Sequence, residues 1–565
     1  MTNILSINPI GHDTSASLMM SSMIVAACEQ ERYSGDKHSR LFPIDAVNDC
    51  LKIGNININQ VDMICVPWMP ELMIRDFYLR PALLNDARLK FLRNDYNRIE
   101  ELFSIEEKIR FKLKYKGPVK FLNHHQCHLA STYYSSGFHD PLIVSYDGCG
   151  EIDTMAIGVI ENGKIVTKVT DNQYPNSLGL LYSAITNFLG WKYACDEGIV
   201  MGLASMGNAN AKIPQSELTY IDVFRKAVIQ KKDFKFELDM PSFLNFFEER
   251  DVWVGKEFFK LMGPKRDQDD KITKNHTNIA AGLQLRIEEI ILNHLRLARK
   301  TFNKKTLCVS GGVGLNCTLN GKISSEKIFD EIFVVPAAGD TGLTIGACYL
   351  ANPNNKIQTR NNFYLGSRFE KDEILSELSK SKLDFEEPSN LFEVTAKHLF
   401  EGKIVAWFQG ATEFGPRALG NRSILTKPFP LEMKNYVNKQ VKFRESFRPF
   451  APAILEEFKD LYFYMDQISP HMLMAFKAKE QNKKFIAATV HDDNSSRVQT
   501  VSKENNSRFY SLLKSFYKLS KVPVLLNTSF NIKGQPIVNT PKEAIETFLN
   551  TKIDVLVIGD YILSK

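Results

Sequence analysis

The chain has 565 residues, 44% of them apolar and 24% charged, with a formal net charge of +6. That length exceeds what one hydrophobic core serves, so two domains are expected, and the composition is globular, neither disordered nor fibrous. So mild a positive charge admits anionic small molecules without calling for nucleic acid or a membrane surface. No apolar run approaches a membrane span, and the amino terminus has no basic stretch followed by a long apolar one, so a cytoplasmic protein is expected. The nine cysteines form no C-x-x-C pair, which favours reduced thiols over a disulfide framework.

In chain order, residues 3–8 read as a strand, residues 9–15 as a polar turn and residues 16–29 as further strand. Residues 75–116 mix Arg, Lys, Phe and Tyr with many acids and read as a solvated helical insertion. The segment Asn123-His-His-Gln-Cys-His-Leu-Ala-Ser131 then places His124 and His128 four residues apart, about 40° from each other on a helix, while His125 points elsewhere. The apolar run 141–146 predicts a buried strand ending at a Gly148 turn, where Asp147 faces a ligand. Asn162-Gly163 signals a hairpin. Residues 275–302 carry Ile279, Leu283, Ile287, Ile290, Ile291 and Leu295 at helical spacing, a core-facing stripe.

Residues 306–310 read as a strand running into Gly311-Gly-Val-Gly-Leu-Asn316 and then a helix, an arrangement that brings backbone N–H groups and a helix dipole to a phosphate. A further strand within 331–340 ends at Asp340. His124, His128, Asp147 and Asp340 together make a hard, mixed N/O set suited to Fe(II), Mn(II) or Zn(II). Polar or glycine-rich loops recurring at strand ends in two similar halves predict a duplicated actin-like (ASKHA) ATPase core of the α/β class, with a nucleotide in the cleft.

The chain changes character at the polar connector 351–362, so the expected division is 1–355 and 363–565. Beyond it, basic residues recur beside Gly, Pro and aromatic residues: Arg417 and Arg422, then Lys442, Arg444 and Arg448, then Arg497. Guanidinium groups in tightly turned apolar backbone need an anion or an acid. Glu413 and Glu445 could pair with some of them, but the cluster as a whole favours a phosphate-binding pocket. The run 522–531 adds a strand that delivers Asn527 and Ser529 to its end.

Gly11-His-Asp-Thr-Ser-Ala-Ser17, the segment 124–131, Tyr146-Asp-Gly-Cys-Gly-Glu151, Glu197-Gly-Ile-Val-Met-Gly-Leu-Ala204, 310–316, Ala338-Gly-Asp-Thr-Gly342, 414–423, 443–452 and 526–534 occur in an order that resembles one family. These are the O-carbamoyltransferases of the nodulation-protein and cephem or aminoglycoside carbamoylation type (NodU/CmcH/TobZ-like), and the likeness covers nearly the whole chain. It implies an amino-terminal domain like that of the tRNA threonylcarbamoyl transferases and an α+β carboxy-terminal domain like YrdC. It also implies Fe(II) on residues matching His124, His128, Asp147 and Asp340.

The resemblance implies two steps as well: carbamoyl-adenylate formed from carbamoyl phosphate and Mg-ATP in the second domain, then carbamoyl transfer in the first to the hydroxyl of a small-molecule acceptor. Arg417, Arg422, Lys442, Arg444, Arg448 and Arg497 would hold phosphates, and Asn527 and Ser529 would orient the carbamoyl group or nucleotide. Gly148, Glu197, Gly311, Gly312, Asn316 and Gly339 would line the nucleotide cleft. His12 is the candidate general base, since a neutral imidazole works near pH 7. Relatives often carry lysine where this chain has Ile199, which is given no role. A tRNA-modifying transferase fits poorly with the mild charge, and a hydrogenase-maturation transferase would bring zinc-finger cysteines. A nucleotide switch would need neither a four-ligand metal set nor a separate anion pocket. The acceptor and the oligomeric state are left open by the sequence.

Overall fold

The computed structural model describes residues 2–248, 252–352, 362–445 and 447–565; residues 353–361 of the expected connector 351–362 lie outside the described residues. The class is α/β. The first sheet holds β1 (Asn3–Asn8), β2 (Ser15–Met20), β3 (Met23–Glu29), β4 (Met63–Val66) and β5 (Val119–Phe121) in the order β3-β2-β1-β4-β5. The second holds β6 (Leu142–Gly150), β7 (Asp153–Glu161) and β8 (Lys164–Val169). After the small hairpin β9 (Val228–Gln230) and β10 (Phe236–Leu238), it adds β11 (Thr306–Ser310) and β12 (Glu331–Val334), in the order β8-β7-β6-β11-β12.

The two orders are the same. In each sheet three strands run antiparallel as a meander and two more join in parallel beside the first. Each half then closes with a helix, His124–Ser136 after β5 and Leu343–Ala351 after β12. These two helices meet closely: a Cβ on Gly346 would lie 1.8 Å from the Cys127 carbonyl oxygen, so only glycine fits there. The duplication expected from the sequence is thus present in the strand topology.

Two local expectations are corrected. Residues 16–29 are not one strand, because Ser21 and Ser22 take φ of 50° and 68° and fold β2 onto β3; Asn162 and Gly163, at 50° and 73°, turn β7 onto β8 in the same way. Nor does the strand before Asp147 stop at a Gly148 turn. It continues to Gly150 through an irregularity, pairing Tyr146 with Met155 and next Gly150 with Asp153. The bulged residues between are freed from the ladder, which is how Asp147 can leave the sheet direction. The insertion is helical as expected, from Pro70–Leu72 to Ile105–Leu113. The long helix is Lys274–Phe302, whose Ile279, Leu283, Ile287, Ile290, Ile291 and Leu295 are all buried.

The remainder forms one seven-stranded mixed sheet with β13 (Val405–Phe408), β14 (Arg422–Thr426), β15 (Ala451–Leu455), β18 (Gln499–Val501), β19 (Val524–Ser529), β20 (Val555–Ile558) and β21 (Tyr561–Ser564). β16 (Ala475–Lys477) and β17 (Ser495–Arg497) pair beside it. The helices Leu391–Phe400 and Ser507–Ser520 bury Leu399, Phe509 and Phe516 on one face; Lys371–Ser381 and Pro541–Leu549 bury Leu378 and Phe548 on the other. All nine cysteines are free, and among the described residues no helix is long and apolar enough to cross a membrane.

Candidate active site

His124 opens its helix directly after the cap Asn123, so one turn sets His124 and His128 on the face toward β6. Their Nε2 atoms meet two carboxylates. His124 lies 3.1 Å from Asp147 and 3.7 Å from Asp340; His128 lies 3.7 Å from each. With ligand bonds near 2.1 Å, the edges of a tetrahedral or octahedral shell measure about 3.0 to 3.4 Å, close to these separations. Three of the four are too long for hydrogen bonds, and Nε2 of His128 is buried with no partner. The donor set therefore fits a divalent cation. Without one, burial opposes protonation of His128, yet the close carboxylates of Asp147 and Asp340 raise its pKa to about 9. A bound dication would displace that proton.

Surrounding groups fix these ligands. The His124 ring lies between Trp68, 4.2 Å away centroid to centroid, and Gly150, where a Cβ would fall 2.2 Å from the imidazole. Glu151 accepts hydrogen bonds from the backbone N–H groups of His124 and Met69 and from the Asn123 amide, which satisfies the start of the helix. Asn8, at the end of β1, donates to the Asp340 carbonyl and accepts from the Trp68 indole. His125 does point away, to Ser145 and the Asp153 carbonyl.

The glycine loop after β11 differs from its expected use. Gly311, at φ 83°, sits so tightly on Tyr146 that a Cβ would come within 2.2 Å of its carbonyl, and the N–H of Gly312 donates to Asp147 Oδ1 at 2.6 Å. Gly311 therefore packs β11 against β6 and does not line the cavity. Gly148, Glu197, Gly312, Asn316 and Gly339 do line it. Glu197 accepts from Ser183 and the Ala194 N–H, and Asn316 caps the helix Cys317–Ser325 while paired with Gln284. Ile199, also on the cavity wall, is buried.

His12 stands at the same cavity, on a ring shared with residues that sequence reasoning missed. Its Nδ1 is 2.6 Å from Asp13, whose other oxygen lies 2.7 Å from His38 Nδ1. Burial alone would lower the His12 pKa, but the charge and hydrogen bond of Asp13 outweigh it and raise it to about 9. The side chain is 37% exposed, and water screens part of that attraction. Asp13 thus favours the protonated imidazole, whereas a general base needs the neutral ring. Asp13 and His38 both hold left-handed backbone, φ 61° and 56°, a strain tolerated where it serves a site.

Across the cavity lie Arg417, Lys442, Arg444, Arg448, Arg497, Asn527 and Ser529. Arg448 has Glu445 at 3.8 Å, while Arg417 and Arg497 form no ion pair among the described residues, and the Nε of each is buried without a partner. Burial first, then the charges of Arg497 and Arg448, pull Arg417 down to about 9; burial and Arg448 lower Arg497, and burial, Arg448 and Arg497 lower Arg444. A guanidinium does not shed its proton near neutrality, so the stress is one that an anion relieves. Lys442 is already engaged by Ser529 and Asn531, and Arg444 by Asn438 and the face of Phe450. Asn527 donates to Gln499 and the Ala418 carbonyl, leaving its Oδ1 buried and unpartnered.

Arg422 is not in this pocket. It is fully buried over Phe408, and its guanidinium donates to the carbonyls of Gln409, Asn421, Gly410 and Ser367. Position 422 opens β14, so its side chain turns into the sheet flank and replaces missing backbone donors. Glu413 does not pair with any of the pocket arginines either; it accepts the N–H groups of Leu419, Asn421 and Arg422.

Family models described as Carbamoyltransferase N-terminus and Carbamoyltransferase C-terminus match residues 3–349 and 396–565. The chain belongs to the carbamoyltransferase family. This carbamoyltransferase is 35% identical over 619 residues to the Synechocystis protein sll1178, covering 100% of this chain and 97% of that one. It is 31% identical over 575 residues to the nodulation protein NolNO of Sinorhizobium fredii, with 99% and 80% covered. Over 306 residues it is 31% identical to the 3'-hydroxymethylcephem-O-carbamoyltransferase of Streptomyces clavuligerus, with 53% and 57% covered. The family expected from the motifs is thus the one found, and the protein is an enzyme of carbamoyl transfer.

Proposed function

We propose that the enzyme is an ATP-dependent O-carbamoyltransferase in which two reactions share one cavity. The observation that carries this reading is a cavity of about 990 Å³ lined on one wall by Asp147 and Asp340 and on the other by Arg417, Arg448 and Arg497. Residues 1–355 would form an actin-like, threonylcarbamoyl-transferase-like domain, and residues 363–565 a YrdC-like domain. In the second, water cleaves carbamoyl phosphate to carbamate and phosphate. A carbamate oxygen then attacks the α-phosphorus of Mg-ATP, giving carbamoyl-adenylate and expelling pyrophosphate. Arg417, Arg448 and Arg497 offset the charge that gathers on these oxygens, with Lys442 and Arg444 holding the surrounding turns.

In the first domain an acceptor hydroxyl attacks the carbamoyl carbon and AMP leaves. His12, once deprotonated, takes the hydroxyl proton, with Asp13 orienting its ring. His124, His128, Asp147 and Asp340 would hold Fe(II), which would supply Lewis-acid chemistry for the transfer step. A shared cavity keeps a reactive mixed anhydride from bulk water between the steps. The acceptor would be a small natural product or sugar bearing a hydroxyl, with neither nucleic acid nor membrane as partner, and the cytoplasm as the place where ATP is supplied.

The test is pyrophosphate release from Mg-ATP by the purified protein with and without carbamoyl phosphate, no acceptor being present. Release that requires carbamoyl phosphate and is lost in Arg448→Ala is expected. Absence of release from a folded, ATP-binding protein would overturn the two-step scheme.

A further inference from the structure

A buried ion pair of the first sheet reaches across to the arginine pocket. Glu29 ends β3, and Arg32 lies one helical turn on, in the short helix Glu31–Ser34; their side chains are 5% and 3% exposed. The Arg32 Nε donates to Glu29 Oε2 at 2.7 Å; Glu29 Oε1 and Arg32 Nη2 both close on a single residue of the other part of the chain, while Arg32 Nη1 is buried without a partner. Gly415 donates its N–H to Glu29 Oε1 at 3.1 Å, and its carbonyl accepts from Arg32 Nη2 at 2.8 Å.

Gly415 is itself confined. Its φ of 120° favours glycine, and a Cβ there would stand 3.0 Å from the Pro336 carbonyl oxygen. Pro416 follows with its fixed φ, and then Arg417, so little rotational freedom separates the held peptide from the guanidinium. Simple attachment of the two parts does not need this pair, because the backbone already joins them where the Ala27 N–H donates to the Leu365 carbonyl. Burying two charges costs desolvation of the same order as their attraction returns, so such a pair adds little to attachment and serves better to fix register. Glu29, Arg32, Pro416 and Arg417 all line the same cavity.

We propose that Glu29 and Arg32 are positioning residues for the anion site: by holding both polar groups of Gly415 from the opposite lobe, they set where the Arg417 guanidinium stands. The proposal rests on the reading of Arg417 as a phosphate ligand. It also ties the geometry of the arginine wall to the strand that carries the His12 side of the cleft.

The experiment is a double-mutant cycle read by equilibrium binding of ATP and of inorganic pyrophosphate, with Tm and metal content measured on every variant. Arg32→Met is expected to weaken ATP binding about tenfold and, in an Arg417→Ala background, to weaken it no further, the signature of two residues acting as one. Should Arg32→Met leave Glu29 buried without a counterion and prevent folding, the charge-neutral pair Glu29→Gln/Arg32→Met keeps volume and removes the buried charge; the same non-additivity is expected of it. An equal loss in both backgrounds, or unchanged binding in Arg32→Met, overturns the proposal. If Arg417→Ala alone leaves binding unchanged, the phosphate reading of Arg417 has failed instead.

Discussion

The two walls of the cavity are built on opposite electrostatic plans. On the metal wall, His124, His128, Asp147 and Asp340 balance one another: two imidazoles face two carboxylates, with Trp68, Gly150 and Glu151 fixing the geometry. On the other wall, Arg417, Arg444, Arg448 and Arg497 repel one another with too few acids among them. The first wall has the donors for a divalent cation. The second is left with an excess of buried positive charge, which on the proposed function a phosphate-bearing substrate would offset.

The contrast breaks most sharply at the metal wall. His128→Ala should remove metal and lower carbamoyl transfer by about 10³-fold while leaving carbamoyl-phosphate-dependent pyrophosphate release near wild type, since Lewis-acid stabilisation is worth several kcal/mol in one step only. Metal analysis beside both assays checks it; equal loss in both would remove the division of labour. Arg497→Ala should do the reverse, lowering kcat/KM for pyrophosphate release by about 10²-fold with metal content unchanged. The same variant should raise the ligand-free Tm by about 2 °C, because it deletes an uncompensated charge. It should also lose most of the stabilisation that pyrophosphate gives the wild type in a thermal-shift titration.

Arg422→Met separates a buried arginine from a binding one. It orphans four carbonyls and should cost about 3 kcal/mol of stability in a denaturant titration, yet leave KM for ATP within about twofold. A large KM effect would return Arg422 to the pocket. The smallest effect is in pH. His12 is raised from 6.5 to about 9, so its tie to Asp13 contributes fully below 6.5 and is lost as pH climbs through about 9. Transfer should rise along the same limb, and Asp13→Asn should bring that limb back toward 6.5. A limb unmoved by Asp13→Asn would dismiss His12 as the base.

Some of this was legible from single residues and their spacing. The His124/His128 pair, the strand-end carboxylates and the duplicated loops each leave a local signature, and the ligand set assembled as those signatures imply. Arg422 was misplaced because a buried arginine that serves carbonyls and one that serves phosphate look alike in sequence. Asp13 and the Glu29/Arg32 pair have neighbours in sequence as partners, but the links they make to His38 and to Gly415 run to residues farther along the chain and left no signal. Asn8 offered a faint one: it ends β1 much as Asp147 stands at the irregular end of β6, a likeness visible only once the duplication is taken seriously.

What the sequence determined by itself is the chemistry available: periodicity and turn residues depend on neighbours a few positions apart, and they set the strands, the long helix, the metal donors and the stock of cations. Tertiary structure decided how that stock was divided. Whether a guanidinium meets a carbonyl, a carboxylate or open space depends on the crossing of distant strands, as with Arg422 in β14 against Gly410 and Ser367. The same long-range packing brings Gly415 to Glu29 across 386 positions, a contact that no local rule encodes.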